Sequence, residues 1–211
     1  MKNDAKFWDK IAAKYAADPI SDIQSYEYTL GRTRSYLGAD DRVLEIGCGT
    51  GSTALQLAPS VAHVTASDFS GAMLQFGRDK ARAQGVDNID FACIDVADPP
   101  DDSQYDAILG FNLFHLVKDI DQVFADIHAR LKPGGLFISK TPCLGGGDLG
   151  LRFGLLKLMI PVMQMVGKAP FVRLLSIKEL ESAMSQAGFH IIETGNFPAK
   201  PPSRYVVARR C

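Results

Sequence analysis

The stretch Val43-Leu44-Glu45-Ile46-Gly47-Cys48-Gly49-Thr50-Gly51 decides the fold. Its first four residues form a short, mostly apolar run with β-branched members, which predicts a buried strand of a parallel sheet. Glycine then occupies every second position, and residues 52–58 have the character of a helix. A strand, a glycine-rich turn and a helix form the opening unit of a doubly wound α/β domain, in which a ligand approaches the bare backbone of the turn.

Two other glycine-rich loops can be tested against the same residues. The phosphate loop of nucleotide triphosphatases ends in Gly-Lys-Ser/Thr, and no lysine follows Gly51. A dinucleotide-binding loop needs glycine or alanine three positions after its second glycine, where this chain has Ser52. The first alternative is therefore excluded. An NAD(P)-binding oxidoreductase stays open as an alternative with an imperfect match.

A second predicted strand, residues 61–67, ends at Asp68, about twenty residues beyond the glycines. An acid at this point binds ribose hydroxyls in nucleotide-binding α/β folds, because a carboxylate accepts two hydrogen bonds side by side. Ser70 can cap the following helix, which leaves Asp68 available for the ribose. Phe69 and Met73 are candidates for the adenine side of the same pocket.

Residues 43–51 resemble, at every position, motif I of the class I S-adenosylmethionine-dependent methyltransferases, and in particular the small-molecule, methyltransferase type 11 and ubiquinone/menaquinone methyltransferase-like group. The run Leu-Lys-Pro-Gly-Gly at 131–135, before an apolar strand, is a further hallmark of that family. The resemblance implies S-adenosyl-L-methionine as the cofactor. Its methionine part would pack on the backbone of Gly47, Cys48, Gly49 and Gly51, with Glu45 ordering that end.

The resemblance also implies roles further along the chain. Asp95 would accept a hydrogen bond from the adenine amino group, and the amide of Val96 would meet a ring nitrogen. Phe111 and Asn112 follow the fourth strand and would lie between cofactor and acceptor. Tyr15, on a helix that precedes the first strand, would reach the pocket. The specific motifs cover roughly residues 40–141, whereas residues 176–211 match by pattern only.

Methyl transfer from a sulfonium is an in-line displacement that needs alignment of acceptor, methyl carbon and sulfur more than a protein nucleophile. A general base is required only if the acceptor must lose a proton, and His115, just after the fourth strand, is the candidate. No cluster of His, Asp or Glu has metal-ligand spacing, so no metal site is predicted. A noncatalytic S-adenosylmethionine-binding protein is the other alternative left open.

The predicted architecture is a single α/β methyltransferase domain, residues 1–211, with a Rossmann-like, doubly wound, seven-stranded and mostly parallel sheet. It comprises an N-terminal helical cap (1–38), a cofactor-binding core (39–141), a helical lid insertion after strand five (142–175), and a last helix with an antiparallel hairpin (176–211). The last strand is expected to be antiparallel because residues 195–203 contain three prolines and no crossover helix. A capping box at Ser176 and Glu179 predicts the start of the last helix.

Composition limits the partners. The net charge is −1, from 23 basic and 24 acidic residues, and no long basic run indicates nucleic acid binding. The apolar run 151–167 is shorter than a membrane span and contains Arg152, Lys157 and Pro161, so no transmembrane segment is predicted. The four cysteines are scattered, and the N-terminus lacks a signal core, which favours a cytoplasmic protein.

The expected acceptor is a small, largely apolar molecule. Its binding wall is predicted from the leading helices, from the exit of strand four and from the insertion, whose apolar run also leaves a homodimer contact open. The wall residues expected at the exit of strand four are Phe111, Leu113 and Phe114, and those of the insertion are Leu155, Leu156, Met159, Ile160, Met163 and Met165.

Overall fold

The computed structural model describes residues 2–96, 98, 104–146 and 169–211. Seven strands are present in these ranges: β1 (Arg42–Ile46), β2 (His63–Asp68), β3 (Ile89–Cys93), β4 (Tyr105–Phe111), β5 (Leu131–Pro142), β6 (Phe189–Asn196) and β7 (Ser203–Arg210). The α-helices are α1 (Lys2–Ala17), α2 (Ile23–Arg34), α3 (Ser52–Leu57), α4 (Gly71–Gln84), α5 (Ile120–Arg130) and α6 (Ile177–Gln186). Short 3-10 helices occupy Ala58–Ser60 and Phe114–Leu116.

The strands form one sheet in the order β3-β2-β1-β4-β5-β7-β6. Strands β1 to β5 are parallel, whereas β7 runs antiparallel to both β5 and β6. This arrangement confirms the predicted Rossmann-like sheet with an antiparallel last strand. The carboxyl ends of β1, β2 and β4 meet at one edge, and ligands of open α/β sheets bind outside that edge.

Side-chain alternation along the central strands builds two cores, one on each face of the sheet. Leu44 and Ile108 belong to one buried cluster, and Val43, Ala107 and Leu109 belong to the other. Because both faces are covered, the strands are near-continuous apolar runs, as in other parallel sheets. The result is a rigid platform whose loops at the carboxyl edge carry the polar side chains.

One element boundary differs from the sequence-based expectation. Residues 131–135 were expected to precede strand five, whereas β5 begins at Leu131, directly after α5. Leu131 is fully buried opposite Tyr105, and Lys132 pairs with Asp106 at 2.7 Å, so these contacts draw the start of the segment into the sheet.

The predicted lid insertion (142–175) lies for the most part outside the described residues. At its ends, the backbone amide of Gly145 donates to the carbonyl of Leu175 at 2.7 Å, so the chain leaves and rejoins the domain at one place. The capping box predicted at Ser176 and Glu179 is present at the start of α6. In the described part of the chain, none of the helices combines the length and apolar character needed to span a bilayer.

Phe91 of β3 is wedged between two glycines. A Cβ atom on Gly77 of α4 would lie 2.4 Å from its ring atom Cε1, and a Cβ on Gly51 would lie 2.7 Å from the same atom. The ring edge therefore packs against both α4 and the loop that follows β1, at a point where these two segments approach each other. A side chain at either glycine would have to displace the ring.

We predict that Gly77→Ala lowers the free energy of unfolding by about 1–3 kcal/mol, because the overpacking of Phe91 exceeds the gain in helix propensity. The matched control is Gly31→Ala in α2, where a Cβ meets nothing within 4 Å. That change should raise stability by up to about 1 kcal/mol. Urea denaturation of both variants measures the difference, and equal effects at the two positions would contradict the wedge.

Candidate active site

The loop after β1 turns on glycines in the left-handed backbone region. Gly47 has φ +63°, Gly49 +55° and Gly51 +69°, a conformation that side chains with a Cβ rarely adopt. A Cβ on Gly47 would also come within 2.7 Å of Leu113. The amide of Cys48 donates to the carbonyl of Ser67 at 2.9 Å, which ties the loop to the end of β2. The backbone of this loop is therefore held in place by β2, and at its glycines no side chain covers it.

Lys80 of α4 hydrogen-bonds the end of the same loop. Its Nζ donates to the carbonyl of Thr50 at 3.3 Å, to Thr50 Oγ1 at 3.1 Å and to Ser52 Oγ at 2.9 Å. Partial burial lowers the pKa of Lys80. No sequence motif pointed to this lysine, because the contact depends on how α4 crosses the loop.

Asp68 connects the loop to the next helix. Its Oδ2 accepts a hydrogen bond from the amide of Gly49 at 2.9 Å, and its Oδ1 accepts from the amide of Ser70 at 2.8 Å. Burial raises the pKa of Asp68, although these two amides act in the opposite direction. The capping of α4 falls to Ser70, whose Oγ accepts from the amide of Met73 at 3.2 Å, as the sequence predicted.

A cavity of about 270 Å³ opens beside this loop. Ten of the predicted site residues line it: Tyr15, Gly47, Gly49, Asp68, Phe69, Met73, Asp95, Val96, Phe111 and Asn112. The remaining lining residues are Trp8, Ile94, Leu113, Leu116, Val117, Lys118, Asp119, Gln122, Val123, Pro170 and Phe171. The predicted residues Glu45, Cys48, Gly51 and His115 are not among the lining residues.

Glu45 lies beneath the glycine loop and is 2% exposed. The amide of Ala54 hydrogen-bonds its carboxyl group, whereas its Oε2 has no hydrogen-bond partner in the part of the chain that the structure describes. Burial raises the pKa of Glu45 to about 8, because the charged form is poorly solvated there. The carboxyl group is therefore mostly protonated at pH 7.

Helix α1 forms one wall of the cavity. Trp8 and Tyr15 both line it, and their rings meet edge to face with centroids 6.2 Å apart. The pKa of Tyr15 is raised by burial first and then by the nearby carboxyl groups of Asp68 and Glu45. Its phenol therefore stays protonated at neutral pH.

The end of β4 contributes Phe111 and Asn112. Asn112 adopts φ +55°, and its amide donates to the carbonyl of Lys140 at 2.7 Å. Asparagine tolerates this left-handed conformation better than most residues, which explains its place at the turn. Phe114, expected in the same wall, is instead fully buried in the core, with its ring 5.0 Å from that of Phe124.

His115 lies in the short helix after β4, next to the cavity wall. Its carbonyl accepts from the amide of Arg173 at 2.6 Å, and its Nδ1 is buried without a hydrogen-bond partner among the described residues. Burial lowers the pKa of His115 to about 4. A base of that pKa is poorly matched to proton abstraction near neutral pH, so the geometry does not favour the catalytic role predicted for it.

A second side of the cavity was missed in the sequence. It comprises Leu116 to Asp119, the first turns of α5 with Gln122 and Val123, and the segment Pro170–Phe171. The ammonium group of Lys118 lies 5.8 Å from the ring centre of Phe171, within cation–π range. The position of residues 116–119 directly after strand four was the one sequence signal for this side of the cavity. Phe171 gave no such signal, because it lies far from strand four in the sequence.

The fold and the loop after β1 define a Rossmann-like domain with the strand order of class I methyltransferases. Residues 43–135 match a family model described as a methyltransferase domain. This segment of the chain is thus similar to a methyltransferase domain, and S-adenosylmethionine is the cofactor of that class. The match includes the glycine loop and Ser52, and it favours a methyltransferase over the NAD(P) alternative.

A demethylmenaquinone methyltransferase from Clavibacter sepedonicus is 39% identical over 105 residues, which span 47% of this chain but only 40% of that relative. Among solved structures, the DhpI complex with S-adenosylhomocysteine has a TM-score of 0.74 at 21% identity, covering 99% of this chain and 96% of that chain. The cyclase SpnF has a TM-score of 0.70 at 20% identity, covering 88% and 80%. At these identities, the two structures show the shared fold alone.

The chemistry of the site suits the cofactor. A buried carboxyl oxygen of Glu45 lacks a hydrogen-bond partner among the described residues and suits the ammonium group of the methionine part. The bare backbone at Gly47 and Gly49 leaves room for close approach, and each oxygen of Asp68 retains a lone pair for a ribose hydroxyl. The groups present therefore fit S-adenosylmethionine in charge, shape and hydrogen bonding.

We predict that binding of S-adenosylhomocysteine near pH 7 releases up to about one proton from Glu45, because a cation beside the carboxyl group lowers its pKa from about 8. The affinity should accordingly rise with pH between about 6 and 8. Glu45→Gln should abolish this release and weaken binding about tenfold or more. Calorimetry in buffers of different ionisation enthalpy counts the protons, and equal release by the variant would contradict the assignment.

Proposed function

We propose that this protein transfers the methyl group of S-adenosylmethionine to a small, largely apolar acceptor. The observation that carries the proposal is a single cavity that runs from the glycine loop and Asp68 to a wall rich in aromatic and aliphatic side chains. Trp8, Tyr15, Phe111 and Phe171 contribute the aromatic part of this wall. A pocket of this kind, apolar with few polar groups, is usual for small-molecule sites.

The cofactor would be held by groups from three neighbouring strand ends. Glu45 meets the amino group of the methionine part in this proposal, and Gly47 and Gly49 approach it through their backbone. Asp68 accepts from the ribose hydroxyls. The adenine lies near Asp95 and Val96, with Phe69 and Met73 along its side, while Cys48 and Gly51 keep the loop in shape from outside the cavity.

When bound, the cofactor supplies a methyl group that its sulfonium has already activated. The residues of the chain bind, orient and exclude water, and alignment of this kind can supply a large part of the rate. Phe111 and Asn112 hold the acceptor side at the end of β4, and Tyr15 closes the opposite side from α1. No protein nucleophile enters this scheme.

A general base is needed only for an acceptor that must lose a proton. His115 was predicted for this task, but it does not line the cavity and its pKa is lowered to about 4. We therefore favour a reaction driven by alignment, with an acceptor atom that is already electron-rich. The role of His115 as a base stays a prediction.

The Clavibacter relative is a demethylmenaquinone methyltransferase, and this similarity supports a ring-containing lipophilic acceptor as the first class to test. The helical lid (142–175), the cytoplasmic location and a homodimer were predicted from the sequence and remain predictions. The proposal requires none of the three. A noncatalytic cofactor-binding protein is the competing hypothesis. The cyclase SpnF has the same fold, so the fold alone does not establish methyl transfer.

Transfer can be tested by incubating the protein with methyl-labelled S-adenosylmethionine and a metabolite extract, followed by mass spectrometry. We predict label in small, organic-soluble products. Asp68→Ala should reduce the yield at limiting cofactor about tenfold or more, because the ribose hydroxyls lose a charged acceptor. The control is Asp87→Ala, an exposed carboxylate without a side-chain hydrogen bond in the described ranges, which should match the unmodified protein.

Two outcomes would count against this function. Label found mainly in protein or RNA would contradict a small-molecule acceptor. Tight binding of S-adenosylhomocysteine without transfer to any extract fraction would favour the noncatalytic hypothesis.

A further inference from the structure

Helix α1 packs along α4, and one carboxylate supplies its side-chain hydrogen bonds to the rest of the described domain. Oδ1 of Asp9 accepts hydrogen bonds from Ser70 Oγ at 2.6 Å and from the amide of Ala72 at 3.2 Å. Among the described residues, these are the only side-chain hydrogen bonds between α1 and another segment. Ala12 is the only residue from 5 to 17 whose exposure falls in the buried range, at 1%. The other side chains of this range are exposed or only partly buried, so the hydrogen bonds of Asp9 contribute a substantial part of what holds the helix closed.

Helix α2, the other helix of the cap, is held differently. Arg32 forms an ion pair with Glu193 of β6, and Oγ1 of Thr33 lies 3.2 Å from the hydroxyl oxygen of Tyr205 in β7. Arg34 donates to the carbonyl of Gln56 in α3 at 2.9 Å. These contacts reach three separate segments. Any opening of the cap is therefore confined to α1, because α2 keeps its own contacts with β6, β7 and α3.

Opening of α1 would remove a wall of the cavity. Trp8, which lines it, is the neighbour of Asp9 in the chain, and Tyr15 lies two turns further along the same helix. The ring of Tyr15 approaches the glycine loop, with Cε1 3.8 Å from a Cβ built on Gly49. The position of Asp9 thus sets the position of both aromatic rings.

The partner of Asp9 is also part of the ribose-binding end of the site. Ser70 donates its hydroxyl proton to Asp9 and its amide proton to Asp68, and Asp68 in turn accepts from the amide of Gly49. The hydrogen bonds thus run without a break from α1 to the glycine loop. Asp9 also faces the N-terminus of the 14-residue helix α4, where a negative charge is favoured.

We propose that Asp9 is a positioning residue that holds α1 closed over the cofactor site and thereby slows the dissociation of S-adenosylmethionine and S-adenosylhomocysteine. A ligand that contacts both Asp68 and the rings on α1 binds the closed form better, so closure and ligand binding favour each other. The inference rests on the proposed function for the identity of the ligand. The attachment of α1 by Asp9 does not depend on it.

Trp8 provides the probe, because it is the only tryptophan of the chain. Acrylamide quenching of its fluorescence reports how far α1 opens in the ligand-free protein, and stopped-flow chase experiments give the dissociation rate of S-adenosylhomocysteine. The variants are Asp9→Ala, which removes both hydrogen bonds, and Asp9→Asn, whose amide oxygen can still accept them. The control is Asp18→Ala, which removes a charge just beyond the end of α1 and no side-chain hydrogen bond seen in the described residues.

We expect Asp9→Ala to raise the quenching constant of Trp8 about twofold or more and to speed dissociation about five- to tenfold, the range typical of a lost helix-capping contact. Asp9→Asn should be intermediate, and Asp18→Ala should resemble the unmodified protein. Circular dichroism checks that each variant is folded, and if Asp9→Ala is not, Asp9→Asn decides.

Quenching and dissociation in Asp9→Ala equal to those of Asp18→Ala would overturn the proposal. Failure of the unmodified protein to bind S-adenosylhomocysteine would overturn the proposed function instead. In that case the quenching comparison in the ligand-free protein still tests whether Asp9 holds α1.

Discussion

The geometry of the site depends on two hydrogen bonds that the carboxylate of Asp68 accepts. One of its oxygens accepts from the amide of Gly49 and the other from the amide of Ser70, so a single side chain joins the loop after β1, the end of β2 and the start of α4. Ser70 extends this junction to Asp9 on α1. The cavity is therefore bounded by segments that are distant in sequence and share one buried acid.

Buried acids of this kind destabilise the ligand-free protein when they are charged, because their carboxylates are poorly solvated. Burial raises the pKa of both Asp68 and Glu45, the latter to about 8. The contribution of Glu45 to stability is fully present below its ordinary pKa of 4.5 and is lost as the pH rises towards and through about 8. The ammonium group of a bound ligand would offset this loss. Binding and stability are thus linked through the same side chain.

The parts of the structure that depend on local chemistry could be predicted from the sequence. The left-handed turn at Gly47 and Gly49 and the cap at Ser70 follow from the residue types alone, as does the antiparallel last strand from the prolines before it. The parts that depend on tertiary packing could not. Asp9 resembles any exposed helix aspartate until α4 is placed beside it, and Phe114 resembles a pocket residue until α5 covers it.

Calorimetric titration with S-adenosylhomocysteine, and in parallel with a nicotinamide dinucleotide, tests whether the glycine loop, Glu45 and Asp68 form a site for the methyl donor. We expect a dissociation constant in the micromolar range or tighter for S-adenosylhomocysteine, about 8 kcal/mol or more of binding free energy, and no measurable heat from the dinucleotide. Heat from the dinucleotide alone would contradict this expectation.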